Sequence, residues 1–192
     1  MNKNIVADST FYSCCVCDIK RNDILFHFLS SYSFHLGRRI FDELPSSLSG
    51  NQTFKKAITE QNFDYFQLIK PFFGRDPKHI NDGEYEAIGL GYLLNSQGLL
   101  HILVLDDRRP RNFVKNHFPS LEPKVKGTVG LVQSSCCDDK LLPQKLALEF
   151  LEAILNNIND GEKERPCSID RTIIGAILIP AITYIRNYHA EQ

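Results

Sequence analysis

The sequence predicts a single α/β domain: a Rossmann-like α/β/α sandwich with a central, mostly parallel sheet and a C-terminal helical extension. Two short apolar runs, residues 4–7 and 100–105, are typical of strands buried on both faces. Segments with helical spacing of apolar residues alternate with the predicted strands, as in a parallel sheet covered by helices. A chain of 192 residues suits one such domain with a sizeable core.

The N-terminal half predicts several short elements. A strand at residues 4–8 leads into a helix for which Ser9 and Thr10 are natural caps. Helical spacing predicts an amphipathic helix over residues 23–34. We expect the remaining elements to be a strand at 38–45, a helix at 54–61 and a strand at 63–69.

The C-terminal half has stronger patterns. A helix is predicted from Gly83, a buried strand at 100–105 and a helix at 111–117, followed by a strand near 124–130 that turns into a helix. The longest periodic helix follows Pro143. The predicted division is an α/β domain at 1–142 and, at 143–192, a helix and apolar tail that pack on the domain or on a partner.

Charge and cysteine content restrict the function classes. With 22 Lys+Arg and 23 Asp+Glu, the formal net charge is −1, so a polyanionic partner would need a local basic patch. The six cysteines occur mostly as neighbours, and no secretory signal is recognisable, which predicts reduced thiols and a cytoplasmic location. The apolar run at 172–185 is too short for a membrane span and contains Gly175 and Pro180. We therefore expect no membrane association and assign this run to the core or to an interface.

Acidic residues occur where predicted elements begin or end. Ligands of open α/β sheets bind outside the carboxyl ends of the strands, which is where these acids are predicted to lie. Carboxylate oxygens suit Mg²⁺ or Mn²⁺, ions that activate water in phosphoryl transfer. An acid at a helix N-terminus is also a common dipole-stabilising cap, so the pattern alone leaves both roles open. The acids are Asp8, Glu43, Glu84 with Asp82 and Glu86 beside it, and Asp106 or Asp107.

The order and spacing of these residues resemble those of PIN domains. The resemblance covers roughly residues 4–142 and is strongest with the branch whose motifs run GE-x-EAI-x-LA, DD-x-x-x-R and GT-x-G. The first motif is matched from Gly83 to Gly91, the second from Asp106 to Arg111, and the third from Gly127 to Gly130. Glycines at positions 89 and 91 depart from the usual small alanine, which affects helix stability more than metal binding.

The resemblance implies a Mg²⁺- or Mn²⁺-dependent endoribonuclease, a hydrolase widespread among toxin–antitoxin systems. It makes Asp8, Glu43, Glu84 and Asp106 the metal ligands, with Asp107 as a further catalytic acid. Several choices stay open, because Asp42 could replace Glu43, Asp82 or Glu86 could assist Glu84, and Asp107 could replace Asp106.

Hydroxyl and cationic side chains beside the acids are candidates for supporting roles. Ser9 or Thr10 could touch a metal-bound water or phosphate, or could serve only as helix caps. A basic segment follows directly on the strand-end acids and could contact RNA phosphates, or could form a salt-bridged helix face. Its cations are Arg108, Arg109, Arg111 and Lys115.

Other chemistries are disfavoured by spacing. The neighbouring cysteines do not match the ligand spacing of structural zinc sites. No Ser/His/Asp arrangement or phosphate-cradling glycine loop is recognisable. The leading hypothesis is therefore a metal-dependent ribonuclease acting on RNA, as a toxin or a phage-defence effector. We expect an antitoxin-like protein partner and homo-oligomerisation. The alternatives are a non-catalytic PIN-like scaffold that binds RNA or protein, and a structural module acting through its C-terminal tail.

Overall fold

The fold is a five-stranded, all-parallel sheet flanked by helices, with two further helices at the C-terminus. The computed structural model describes residues 3–72, 82–159 and 174–188. The strands are β1 (Asn4–Ala7), β2 (Ser33–Leu36), β3 (Ile58–Glu60), β4 (Leu100–Val104) and β5 (Val125–Lys126). The α-helices are α1 (Ser9–Ser13), α2 (Asn22–Ser31), α3 (Arg38–Asp42), α4 (Ser46–Ser49), α5 (Gln52–Ala57), α6 (Phe66–Ile69), α7 (Gly83–Ser96), α8 (Arg108–His117), α9 (Thr128–Cys137), α10 (Gln144–Asn159) and α11 (Ile179–Tyr188).

The strand order β3-β2-β1-β4-β5 confirms the predicted fold class. All four strand pairs are parallel. The order reverses direction between β1 and β4, which are neighbours in the sheet although far apart in the sequence. In open parallel sheets, ligands bind at this switch point, outside the carboxyl ends of the strands.

Burial explains why β1 and β4 form the centre of the sheet. Ile5, Val6 and Ala7 are each fully buried, and since neighbouring residues of a strand point to opposite faces, both faces of β1 are covered. Helix α7 packs against β1 and β4, and Gly91 allows this because an added Cβ would lie 3.1 Å from Leu103. The predicted strands near residues 4–7 and 100–105 and the helix from Gly83 are confirmed.

One predicted helix in the N-terminal half is confirmed but ends earlier than predicted, and two predicted strands are wrong. The helix predicted over 23–34 ends at Ser31, and β2 follows it. The strand predicted over 38–45 is mostly helix α3, and the one predicted over 63–69 contains helix α6. Elements of four or five residues are too short to establish a period, so contacts with the rest of the fold decide their structure.

The C-terminal helices join the same hydrophobic core as the sheet. Phe150 and Ile154 of α10 are fully buried, and the Phe150 ring packs edge-on against Phe28 of α2 with centroids 6.4 Å apart. Part of the predicted apolar run at 172–185 lies outside the described residues. From Ile174 the chain forms a short π-helix and then α11, which packs on α9 and α10.

The helices and the cysteines bear on the expected environment of the protein. None of the helices in the described ranges is long and apolar enough to span a membrane. Among the described cysteines, Cys14 is disulfide-bonded, which corrects the expectation of reduced thiols at that position. Cys15, Cys17, Cys136 and Cys137 are not disulfide-bonded.

Candidate functional site

The sheet brings together acids from four separate parts of the chain at the carboxyl ends of β1 and β4. We call this group the acidic site. Their charges interact with one another, and each member lies directly after a strand or at an end of a helix. The acidic site consists of Asp8, Glu43, Glu84, Asp106 and Asp107.

Asp8 is the innermost member of the acidic site. It follows β1 and is fully buried, and its backbone N–H donates to the carbonyl of Val104 in β4 at 3.2 Å. Its Oδ1 accepts hydrogen bonds from the backbone N–H groups of Thr10 at 3.1 Å and Phe11 at 3.4 Å, so the carboxylate caps α1. Its Oδ2 is buried and accepts no hydrogen bond of ordinary geometry from any described residue. Burial, together with the charges of Asp106 and Glu84, raises the pKa of Asp8 well above its ordinary value. The backbone N–H of Asp106 is near enough to the carboxylate to act, with that of Phe11, against the rise in its pKa.

Asp106 is held in place by Thr128 at the start of α9. The backbone N–H of Thr128 donates to Oδ1 of Asp106 at 2.7 Å, and the Thr128 hydroxyl donates to Oδ2 at 2.6 Å. Burial raises the pKa of Asp106 to about 6, although these two hydrogen bonds and the nearby Arg111 act in the opposite direction. Thr128 therefore fixes the orientation of Asp106 but leaves it with a perturbed pKa.

Glu84 and Asp107 contact each other across the acidic site. Glu84 lies in the first turn of α7, and Asp107 precedes α8. Burial, a hydrogen bond to the Asp107 carboxyl group and the charges of Asp107, Asp82 and Glu43 raise the pKa of Glu84 to about 7. Two carboxylates this close cannot both be ionised cheaply, so the pair favours a shared proton or a bound cation.

Glu43 is positioned by one contact to each of two other elements. Its Oε1 accepts from the backbone N–H of Gly83 at 2.6 Å, and its Oε2 accepts from the Ser9 hydroxyl at 2.7 Å. A Cβ added at Gly83 would lie 2.6 Å from Oε2, so a larger residue there would displace the Glu43 carboxylate from this position. Asp42, the alternative to Glu43, forms an exposed ion pair with Arg38 at 3.0 Å. The structure thus brings Glu43, and not Asp42, to the acidic site.

Glu86, a candidate to assist Glu84, contacts helix α3 instead. It is 4 % exposed, and its Oε2 accepts from the backbone N–H of Ile40 at 2.8 Å, at the start of α3. An added Cβ at Gly37 would lie 2.2 Å from the Glu86 carboxyl carbon. Glu86 therefore joins α7 to the N-terminus of α3, the helix whose other end carries Glu43. Asp82 precedes α7, and its charge acts on Glu84.

Ser9 and Thr10, the two residues with candidate hydroxyl groups, make different contacts. The Ser9 side chain donates to Glu43, so it orients an acid of the site, as described above. Thr10 contributes its backbone N–H to Asp8, and no hydrogen bond of its hydroxyl to the acidic site is observed within the described ranges. The helix cap expected from Ser9 or Thr10 is instead Asp8 itself.

The predicted RNA-binding cations all lie on α8, directly beside the acidic site. Arg111 is close enough to Asp106 to lower the pKa of that carboxyl group. Arg109 hydrogen-bonds Tyr85 and thereby opposes the rise that burial causes in the pKa of Tyr85. Lys115 and Arg111 line a surface cavity of about 180 Å³ together with Asn112 and Glu122. Arg108, at the first position of α8, is exposed.

The donor set of the acidic site fits a hard divalent cation. All its donors are carboxylate oxygens, and the Oδ2 atom of Asp8 is a buried acceptor without a partner among the described residues. No group of three or more His, Cys, Asp or Glu side chains in residues 3–72, 82–159 and 174–188 already has the geometry of a metal-ligand set. The carboxylates would therefore have to turn toward a bound ion.

Residues beneath and beside the acids were not identified as site residues from the sequence. Tyr12 and Cys15 lie under the site, where burial and the charge of Asp8 raise the pKa of Tyr12, and burial and the charge of Asp106 raise that of Cys15. Thr128 belongs to the GT-x-G pattern, which is the sequence signal for its role.

Comparison of the chain with family models, with curated proteins and with solved structures gives no significant match.

Proposed function

We propose that this protein is a Mg²⁺- or Mn²⁺-dependent endoribonuclease that uses the acidic site. The observation that supports the proposal is the buried, unpartnered Oδ2 atom of Asp8 beside Asp106 and Glu84, at the switch point of the sheet. Perturbed carboxyl groups that repel one another without a bound cation are typical of functional sites. The resemblance of the motifs to PIN domains favours the same function.

Four side chains would hold the ion: Asp8, Glu43, Glu84 and Asp106. When bound, such an ion lowers the pKa of water and stabilises negative charge on a phosphodiester. The rest of the work falls to the protein. Thr128 orients Asp106 through two hydrogen bonds, and Ser9 and the Gly83 N–H orient Glu43. Asp107, in contact with Glu84, is the further catalytic acid of the proposal.

The cations of α8 provide the positive charge that a polyanionic substrate needs. Arg111 lies beside Asp106, where it can contact a phosphate next to the scissile bond. Arg108, Arg109 and Lys115 extend this charge along the exposed part of the helix, whose sequence contains no acid. In this proposal the local basic helix compensates for the nearly neutral net charge.

The biological role that we propose is that of a toxin in a toxin–antitoxin or phage-defence module, located in the cytoplasm. An antitoxin-like protein and a second copy of the chain are the proposed partners. The π-helix at Ile174–Leu178 and α11 expose Ile177, Ile179 and Tyr184, each more than 40 % accessible, so an apolar contact surface is present at the C-terminus.

Cleavage of a mixed RNA pool tests the nuclease proposal. Wild type should cut RNA with Mg²⁺ or Mn²⁺ and lose cutting with EDTA. Asp8→Asn and Asp106→Asn should each slow cleavage by more than about a hundredfold, because even residues that only support metal ligands contribute about 10- to 100-fold. Asp42→Asn is the matched control and should cut as wild type, since Asp42 lies outside the acidic site. If the first two variants cut as fast as wild type, the site assignment is wrong.

A non-catalytic, RNA- or protein-binding scaffold is the second candidate. It is favoured by the finding that no ligand set among the described residues is preformed for a metal. The same experiment separates the two functions. Retention of RNA by wild-type protein, without cleavage at any Mg²⁺ or Mn²⁺ concentration, would favour the scaffold.

A further inference from the structure

A row of one arginine and two aromatic side chains leads from the acidic site along α8. Arg109, Phe113 and His117 are four residues apart, so they lie on one face of the helix. Arg109 hydrogen-bonds Tyr85, the residue that follows Glu84, and the Tyr85 ring meets Phe113 edge-on with centroids 5.0 Å apart. The row thus begins at the acidic site and leads away from it.

Phe72 meets this row from the other side. Its ring centroid lies 4.9 Å from that of His117 and 6.2 Å from that of Phe113. Phe72 is 41 % exposed, although it rests edge-on against the buried Phe118 with centroids 5.2 Å apart. A single exposed aromatic ring is common, but Phe72 is in ring contact with the half-buried Phe113 and the exposed His117, so the three side chains form one contiguous aromatic surface. We call Phe72, Phe113 and His117 the aromatic platform.

The surroundings of the aromatic platform are cationic. Arg109 lies one turn before Phe113 on the same face of α8, and Lys70 is exposed two residues before Phe72. Arg111 and Lys115 lie on another side of the helix, where they line the cavity that contains Glu122. Exposed aromatic rings among cations are the features with which proteins bind single-stranded nucleic acid, because bases stack on the rings and phosphates pair with the cations. A double-stranded substrate would keep its bases stacked on one another and out of reach.

The length of the row is consistent with such a substrate. Eight residues separate Arg109 from His117, which corresponds to about 12 Å along a helix axis at 1.5 Å per residue. At the roughly 3.4 Å spacing of stacked nucleotides, this distance covers about three or four nucleotides. A base on the platform would therefore belong to the same short segment as a phosphate at the acidic site.

We propose that the aromatic platform binds bases of single-stranded RNA a few nucleotides from the phosphate held at the acidic site. The inference rests on the proposed function for the identity of the substrate and narrows it to unpaired RNA. Phe72 provides the exposed stacking surface, His117 and Phe113 complete it, and Arg109 contacts the backbone between the platform and the acids.

Fluorescence tests the contact directly, because the chain contains no tryptophan. A Phe72→Trp variant carries a single indole on the platform, and stacking of a base should quench its emission when a single-stranded 12-mer RNA is added in EDTA. Leu99→Trp is the matched control, since Leu99 is 51 % exposed and precedes β4 at the opposite end of the sheet. Quenching of Phe72→Trp alone supports the proposal. RNA binding that leaves Phe72→Trp unquenched overturns it.

Affinity measurements by fluorescence anisotropy in EDTA provide the second test. Phe72→Ala should weaken binding of the single-stranded 12-mer about tenfold, as loss of one stacked base does, and Phe72→Trp should restore it. Leu99→Ala should bind as wild type. Binding that is unchanged in Phe72→Ala, tighter for duplex RNA than for the single strand, or tighter for single-stranded DNA than for RNA overturns the proposal. Failure of wild type to bind single-stranded RNA also overturns it and would favour a protein on the platform.

The two proposals fail in different ways. Binding in EDTA does not require cleavage, so a platform that binds RNA in a protein that never cuts would contradict the nuclease proposal alone. Cleavage that is unaffected by Phe72→Ala, with unchanged RNA affinity, would contradict only the platform proposal.

Discussion

The two ends of the sheet each contain buried acids, but their surroundings are opposite. Beyond the carboxyl ends of the strands, Asp8 lies among other acids, and burial and their charges raise its pKa. At the other end, the side chain of Asp139 is 5 % exposed and accepts hydrogen bonds from Lys3, from the Tyr32 hydroxyl at 2.6 Å and from His101 Nε2 at 2.8 Å. Against the effect of burial, these donors hold the pKa of Asp139 below its ordinary value.

This difference separates an acid that stabilises the fold from acids available for chemistry. Asp139 joins the start of β1, the end of α2 and β4 to the end of α9, and its partners satisfy its charge. Asp8 lacks such partners at Oδ2 among the described residues. Burial alone therefore does not distinguish a candidate functional acid, and unmet hydrogen-bonding capacity is the feature that separates Asp8 from Asp139.

The largest expected difference in stability is between Asp139→Ala and Asp8→Asn. Asp139→Ala leaves three donors without their acceptor and should lower the free energy of unfolding by about 2–4 kcal/mol. Asp8→Asn should cause no such loss, because asparagine also caps a helix and carries no buried charge. Urea denaturation of both variants in EDTA measures the two effects. An equal loss in both would remove the distinction between the two ends of the sheet.

Glu86→Ala tests whether the contact of Glu86 with α3 holds Glu43 in position at the other end of that helix. The variant removes the acceptor at the start of α3 and should cost about 2 kcal/mol in urea denaturation. Cleavage should fall about tenfold, because a shift of α3 would misplace Glu43 and a misplaced catalytic group lowers the rate. Glu86→Gln keeps an acceptor oxygen and should retain most of both properties. Full activity in Glu86→Ala would show that Glu43 does not depend on this contact.

The pH dependence of stability should distinguish Glu84 from ordinary surface acids. Because the folded state raises the pKa of Glu84 from 4.5 to about 7, the folded protein binds this proton more tightly than the unfolded chain does. Stability from this group is present below pH 4.5 and is lost as the pH rises through about 7. Wild type should lose about 1–2 kcal/mol more than Glu84→Gln between pH 5 and pH 7.5 in EDTA. Glu60→Gln, at an exposed strand position, should keep the wild-type slope.

Thr128→Val should have the smallest effect. The variant removes the hydroxyl bond to Asp106 but keeps the backbone N–H, and it should cost about 1 kcal/mol in urea denaturation. The pKa of Asp106 should rise above about 6, so the pH profile of cleavage should move toward higher pH. Thr128→Ser keeps the donor and should retain the wild-type profile. An unchanged profile in Thr128→Val would mean that Asp106 does not control cleavage.

The sequence predicts the centre of the fold better than its edge. Strands β1 and β4 are continuous apolar runs, and α7 is long enough to show a period, so all three are predictable. Strand β2 has only four residues and directly follows the helical spacing of α2, which hides the boundary. In the first turn of α3, the backbone N–H of Ile40 donates a hydrogen bond to Glu86. Because these two residues are far apart in the sequence, no local pattern predicts that α3 is a helix.

The same limit applies to the acidic site. Positions after strands and at helix starts predict that Asp8, Glu84, Asp106 and Asp107 lie near one another. The choice of Glu43 over Asp42 depends on which one faces Gly83, and the separate role of Glu86 depends on Gly37. Hydrogen-bond partners of this kind are determined by packing between elements, and spacing along the chain does not specify them.

The pairing of β1 with β4 also has a consequence for the order of folding. Ala7 lies beside Val104 in the sheet, so Asp8 and Asp106 cannot meet until synthesis has passed residue 106 and a very long loop has closed. Contacts of such high sequence separation form slowly compared with local helices. A chain still emerging from the ribosome would therefore lack the complete acidic site, and any activity of that site would begin only after the central strands had paired.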